Sequence, residues 1–258
     1  MVELQPSKLV TTVRFRSPAP KRMCMKVTLL VPTLNEVVGM RSIMPKVKKE
    51  WVDQILIVDG KSQDGTADIA REMGYDVVIQ QTPGIRGAYM DALPFIKGDI
   101  ILTFSPDGNS IPELIPVCIA KVKEGYDMVI VSRYAQGAKS YDDDIVTSFG
   151  NWLFTGCINL LHGSKYTDAM VIYRAYPKKL IHDLDLDKDS SFSFEENLFR
   201  TKISWEPLLS IRAAKRRLQV ADIPGDEPAR EGGTRKLQVL KWGAAYMFEI
   251  WREIFIWR

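Results

Sequence analysis

Asp107 follows directly on the apolar run at residues 100–104, within Ser105-Pro106-Asp107-Gly108-Asn109. Flanked by Gly98 and Pro106, that run predicts a buried strand that stops abruptly in turn-forming residues, leaving the carboxylate just past the strand's C-terminal end. Ligands of open α/β sheets bind at that edge. A carboxylate there, with the carboxamide of Asn109 two residues on, suits a cation or the hydroxyls of a sugar nucleotide. The same residue types also make an ordinary turn. Repetition favours the first reading: residues 26–31 run into Pro32-Thr33-Leu34-Asn35-Glu36, residues 54–58 into Asp59, and residues 127–132 into Arg133. If one sheet holds these strands, Glu36, Asp59, Asp107 and Arg133 share a rim.

The elements between them support one sheet. Met40, Ile43, Met44 and Val47 follow helical spacing after the first strand, and Ile69, Ala70 and Met73 do so after the second. Residues 76–80 predict a further strand, Gly84-Ile85-Arg86-Gly87-Ala88 opens a helix, and Pro112 and Glu113 start another that runs to Lys123. Short buried strands alternating with helices predict an α/β fold, a doubly wound, mostly parallel sheet with helices on both faces. Residues 145–161 read as an apolar helix, and Phe192 to Phe199 as the start of another. Leu240, Ala244, Met247, Trp251, Ile254 and Phe255 give a C-terminal amphipathic helix interrupted by Lys241, Glu249, Arg252 and Glu253. Such a helix suits a membrane surface, the globular body or a second subunit. The expected organisation is a basic, disordered extension at 1–24, a catalytic domain at 25–237 and the amphipathic helix at 238–258.

Together the motifs resemble a family 2 glycosyltransferase of the GT-A fold. Within that family they are most similar to the polyprenyl-phosphate (dolichol-phosphate mannose synthase-like) enzymes. The matching segments are Val31-Pro-Thr-Leu-Asn-Glu36, Ile57-Val-Asp59-Gly-Lys-Ser-Gln-Asp64-Gly-Thr66, Gly84-Ile-Arg-Gly-Ala88, Ser105-Pro-Asp107-Gly-Asn109, Ser132-Arg133-Tyr134, Asp168, and Arg230 with Lys236. The resemblance implies an inverting hexosyltransferase that uses a nucleotide-diphosphate sugar of the GDP-mannose or UDP-glucose type. By the same resemblance, Pro32, Leu34, Glu36 and Asp59 seat the nucleoside, with Pro106 beside the donor. Asp107 and Asn109 hold Mg²⁺ or Mn²⁺, Arg133, Arg230 and Lys236 bind phosphates, and Asp168 organises the acceptor. Gly84, Arg86 and Gly87 bring backbone N–H groups and a cation near the donor, unless they merely start a helix.

The chain departs from the family pattern at its metal motif. Asp-x-Asp is expected, and Ser105 stands in place of the first aspartate. One carboxylate with substrate phosphates and waters can still hold Mg²⁺ or Mn²⁺. The chemistry of the acceptor divides the remaining readings. A sugar hydroxyl needs a general base, and hydroxyl-directed relatives present a Glu-Asp pair where this chain has Glu195-Glu196-Asn197. A polyprenyl phosphate is already ionised and needs cations instead. A soluble acceptor with Glu195 or Glu196 as base, and a silent sugar-nucleotide-binding protein, are the alternatives.

Composition narrows the partners. Lys8, Arg14, Arg16, Lys21, Arg22 and Lys26 face only Glu3, and Arg212, Lys215, Arg216 and Arg217 form a second basic cluster. These suit phosphates or an acidic membrane surface, with no nucleic-acid motif. Cys24, Cys118 and Cys157 lack metal-ligand spacing and predict reduced thiols. With no signal-peptide core and no apolar run near the ~20 residues of a spanning helix, the expected place is cytoplasmic, peripheral on the cytoplasmic face of a membrane.

Overall fold

The computed structural model describes residues 25–231 and 239–257. In chain order the elements are β1 (Val27–Thr33), α1 (Val37–Ser42), β2 (Gln54–Asp59), α2 (Thr66–Glu72), β3 (Asp76–Ile79), α3 (Ile85–Ala92), β4 (Ile100–Thr103), α4 (Ile115–Glu124), β5 (Met128–Ser132) and α5 (Ile145–His162). There follow β6 (Arg174–Pro177), α6 (Lys179–Asp183), α7 (Ser193–Phe199), α8 (Glu206–Lys215), β7 (Val220–Pro224) and α9 (Val239–Arg252).

The strands form one sheet in the order β3-β2-β1-β4-β6-β5-β7. Pairs β1·β2, β1·β4, β2·β3 and β5·β7 are parallel, while β6 runs antiparallel to both β4 and β5. The sheet is thus mostly parallel, as the alternation of elements predicts. It differs in containing β7 and the reversed β6. That reversal has a chemical result, because the N-terminal end of β6 lies at the C-terminal rim of its neighbours. Thr103 of β4 pairs with Arg174 at the start of β6. The residues leading into β6, Asp168 among them, therefore arrive at the rim that also carries Asp107 and Arg133.

Continuous apolar strands are what a sheet covered on both faces requires. Leu29, Val31, Ile55 and Ile57 pack into one core with Met40, Ile115 and Ile119, whereas Leu30, Leu56 and Val58 pack into the other with Tyr89, Trp205 and Leu209. Alternate residues of each strand serve opposite cores. Each such fully buried aliphatic side chain contributes about 1.5–3 kcal/mol, which locks the strand register and hence the positions of the strand ends.

The C-terminal helix is part of this body rather than an appendage. Ala245 and Ile250 of α9 join the second core, and α9 packs on α5, α7 and α8. Arg252 reaches Glu195 of α7 at 2.7 Å, and Arg212 of α8 reaches Glu253 at 2.9 Å. Arg212 is therefore an internal clamp and not a free member of a basic surface. The basic extension at 1–24, with Cys24, lies outside the described residues.

Candidate active site

The rim is assembled by loops that hold one another. Asn35 takes a left-handed backbone (φ 56°), a conformation Asn tolerates, and its side chain accepts from the Gln63 N–H while its own N–H donates to Ser62. The Glu36 N–H donates to Thr66 Oγ1 at 2.9 Å and the Val37 N–H to Asp64 at 3.1 Å. The loop after β1 is thus bolted to the loop after β2, and Asp64-Gly65-Thr66 acts as a structural clasp. On the other side, α1 lies close over the loop after β4. A Cβ at Gly39 would sit 2.0 Å from the Pro106 carbonyl oxygen, so only glycine permits that approach.

Between these loops lies a cleft of about 760 Å³. Its walls include Pro32, Leu34, Glu36, Ser105, Asp107, Asn109, Arg133 and Arg230. Side chains separated by up to two hundred positions in sequence thus meet in one cavity. Three expected site residues do not line it. Asp59 is 1% exposed and its two oxygens accept from Thr33 Oγ1 and the Ser62 N–H, so it supports the loop beneath the cleft that Gly60 and Lys61 line. Pro106 faces α1. Asp168 is fully buried and stands behind Arg133. Arg86 departs as well: Gly84 lines the cleft, but the Arg86 guanidinium turns inward to Glu196 at 3.0 Å and Asp189 at 2.8 Å. It ties α3 to α7 and offers the donor no charge. Lys236 lies outside the described residues.

Arg133 is the most tightly held cation of the cleft. Asp168 accepts from its Nε at 2.7 Å and from its Nη2 at 3.2 Å, a fork on a carboxylate that is 0% exposed. Glu227 and Asp143 approach its Nη1 at 3.4 and 3.6 Å. Burial alone would lower the Arg133 pKa, but the charge and hydrogen bonds of Asp168, then Glu227, outweigh it and raise the guanidinium well above its ordinary value. Burial pushes Glu227 above the ordinary carboxylate range, against Arg133 and a hydrogen bond from Ser140. Asp168 is itself fixed from behind, because the Ala169 N–H donates to Thr155 Oγ1 of α5 and the buried Arg174 donates to the Ala169 and Val171 carbonyls.

At the other end of the cleft Asp107 pairs with Arg230 at 2.9 Å, and its carbonyl accepts from the Glu231 N–H at 2.9 Å. Gly108 makes that contact possible, with φ 94° and only 3.0 Å between an added Cβ and the Glu231 nitrogen. The donor set fits a hard divalent cation. Asp107 offers a carboxylate, and Asn109 Oδ1 is buried without a hydrogen-bond partner among the described residues. No cluster of three or more His, Cys, Asp or Glu suited to a metal occurs among the described residues. Such a site suits Mg²⁺ or Mn²⁺, which take much of their coordination from substrate phosphates and water.

Residues 28–196 match the family model described as Glycosyl transferase family 2. The chain belongs to that family. Glycosyltransferase AglJ of Haloferax volcanii is 25% identical over 241 residues, covering 92% of this chain and 73% of the relative. A dolichyl-phosphate hexose transferase of the same organism is 27% identical over 219 residues, covering 84% and 89%. Glucosyl-3-phosphoglycerate synthase of Mycobacterium tuberculosis, solved with Mn²⁺, UDP and phosphoglyceric acid, superposes with a TM-score of 0.66 at 20% identity, covering 90% of this chain and 80% of that one. The fold of this glycosyltransferase is GT-A.

Several cleft residues of the glycosyltransferase escape a reading of strand ends. Asp142 and Asp143 come from the segment before α5, Val146 from its first turn, Glu227 from the segment after β7, and Trp242 and Tyr246 from α9. The acidic run Asp142-Asp143-Asp144 was the available signal, but its third member is a helix cap, accepting from the Thr147 N–H at 2.8 Å. Glu195 and Glu196 behave in the opposite way, being conspicuous in sequence and absent from the cleft. Both are buried and committed to Arg252, Arg86 and Lys202. Neither is placed to act as a base.

Proposed function

We propose that this glycosyltransferase moves a hexose, with inversion, from a nucleotide-diphosphate sugar to a polyprenyl phosphate at a membrane surface. The observation that carries the reading is the composition of the cleft around α5. The inner wall joins the charged end at Arg133 to the apolar side chains of Val146, Phe154, Trp242 and Tyr246. On the outside of the same helix, Ile145, Phe149, Trp152 and Leu160 are exposed, Trp152 by 69%. A lipid phosphate has this two-part chemistry, an anion on an apolar tail. The relative named for dolichyl-phosphate supports it.

The chain's own residues account for the steps. Pro32, Leu34 and Glu36 enclose the nucleoside end, and Arg133 and Arg230 face the phosphates. An acceptor phosphate oxygen attacks the anomeric carbon as the bond to the donor's β-phosphate oxygen breaks, and the nucleoside diphosphate leaves with that electron pair. An ionised phosphate has no proton to surrender, so the withdrawal of Glu195 and Glu196 from the cleft does not impede it. Asp168 acts through Arg133, fixing the guanidinium where negative charge gathers. Asp107 and Asn109 would hold Mg²⁺ or Mn²⁺, which when bound would neutralise charge on the leaving diphosphate.

No helix among the described residues is long and apolar enough to cross a membrane. The exposed face of α5, with Trp251 of α9 and Phe255 just beyond that helix, supports attachment at the membrane surface. The free thiols Cys118 and Cys157 fit a reducing, cytoplasmic face. A soluble phosphorylated acceptor is the second reading, favoured by the phosphoglycerate-bound fold neighbour. The test supplies GDP-mannose or UDP-glucose carrying labelled hexose, with polyprenyl phosphate in detergent or with 3-phosphoglycerate. Label entering the organic phase supports the lipid acceptor, and label confined to a water-soluble phosphate ester overturns it.

A further inference from the structure

Ser105 leaves the metal motif one carboxylate short, and the structure supplies another from an element far along the chain. Asp142, in the segment before α5, accepts from Asn109 Nδ2 at 3.1 Å. The Arg230 guanidinium spans both acids, with Nη1 at 2.9 Å from Asp107 and Nη2 at 3.7 Å from Asp142. The Arg230 guanidinium therefore already places positive charge between Asp107 and Asp142. Asn109 Oδ1, on the same carboxamide that grips Asp142, is buried and has no hydrogen-bond partner among the described residues. Two carboxylates that share one guanidinium, with the unpartnered carboxamide oxygen of the side chain that grips Asp142, form a donor set for a hard divalent cation.

We propose that Asp142 is the second carboxylate of the diphosphate–metal site, replacing from across the cleft the charge that Ser105 does not provide. In this arrangement Arg230 balances the two acids until a divalent cation takes that position, and its guanidinium then becomes available to the diphosphate. The inference rests on the donor-binding reading above. It also explains why a chain without the first aspartate keeps Asp107 and Asn109 in place: the lost charge has moved to another wall of the same cleft.

The test measures Mn²⁺ binding by the loss of the free-Mn²⁺ electron paramagnetic resonance signal, with and without GDP or UDP. Asp142→Asn is expected to weaken Mn²⁺ binding about tenfold or more, the scale seen when groups that support a metal are lost. Adding Ser105→Asp to Asp142→Asn is expected to restore most of that loss. Arg230→Ala separates a ligand from a mere counter-ion, since it should leave nucleotide-free Mn²⁺ binding unchanged or tighter while Asp142→Asn weakens it. Thermal melts of each variant establish that it is folded. Wild-type Mn²⁺ affinity in Asp142→Asn, with wild-type protein binding both Mn²⁺ and nucleotide, would overturn this inference and leave the donor reading intact. Wild-type protein that binds neither would overturn both.

Discussion

Replacing Asp168 by Asn removes one charge from a pair the cleft depends on. The Asp168 carboxylate is 0% exposed and grips Arg133 at 2.7 and 3.2 Å, on a side chain itself 15% exposed. Removing one partner of a buried pair costs about 3–5 kcal/mol when the remaining charge is left alone. Arg133 would not be left alone, because Glu227 and Asp143 remain at 3.4 and 3.6 Å. Asn also keeps an acceptor oxygen, so the expected loss is about 2–3 kcal/mol, the range of a hydrogen bond to a charged group. At about 2–4 °C per kcal/mol for a chain of this size, the midpoint of thermal unfolding should fall by about 4–12 °C. Turnover should suffer more than stability, because a guanidinium displaced by about 1 Å loses on the order of 100-fold in rate. The assay is hexose transfer at 20 °C, with a thermal melt of each protein establishing that it is folded there, and with KM for donor and acceptor determined separately. Arg133→Lys, which keeps the charge but not the fork, should show a similar rate loss with intact folding. If Asp168→Asn turns over like the wild type, the buried carboxylate does not position Arg133 for catalysis and the account of this end of the cleft is wrong.

Further expectations concern separate parts of the molecule. Glu249 is 0% exposed, and neither of its oxygens has a hydrogen-bond partner among the described residues. Burial, then the charge of Glu195, raises its pKa well above the ordinary value, so folding favours its neutral form and stability falls as pH rises from the unfolded pKa toward the folded one. Glu249→Gln should therefore raise the melting temperature at pH 7–8 and flatten its dependence on pH, as read by calorimetry from pH 5 to 8. Replacing Phe149 and Trp152 together by Glu should reduce cosedimentation with anionic vesicles several-fold at unchanged melting temperature, since both side chains are exposed. Gly108→Ala would place a side chain at φ 94° and crowd Glu231. It should cost about 1–2 kcal/mol in the denaturation midpoint and lower transfer at least tenfold.

The strands that build the rim are legible in sequence because both their faces are buried. Residues 54–59 read as a buried strand ending in a carboxylate and residues 100–104 as an apolar run closed by turn residues, and the observed β2 and β4 match them closely. β7 is not legible, since its half-buried sequence Val-Ala-Asp-Ile-Pro carries Asp222 at its centre. α8 hides for a related reason: its buried face includes Glu206 and Arg212, which interrupt any apolar periodicity. Candidate site residues divide along the same line. Asp107 and Arg133 could be placed because they end recognisable strands. The position of Asp168 behind Arg133 needed the reversed direction of β6, which no local pattern announces. Arg86 and Glu196 are 110 residues apart, so their mutual neutralisation appears only once α3 and α7 are packed.

Following both products of one reaction tests hexose transfer to a lipid phosphate. With Mn²⁺, a nucleotide-activated hexose and a polyprenyl phosphate, nucleoside diphosphate released and hexosyl phosphoryl lipid formed are quantified together by mass spectrometry. Equal amounts of the two are expected, both lost in Asp107→Ala. Nucleoside diphosphate without the lipid product, or lipid product undiminished in Asp107→Ala, would contradict this expectation.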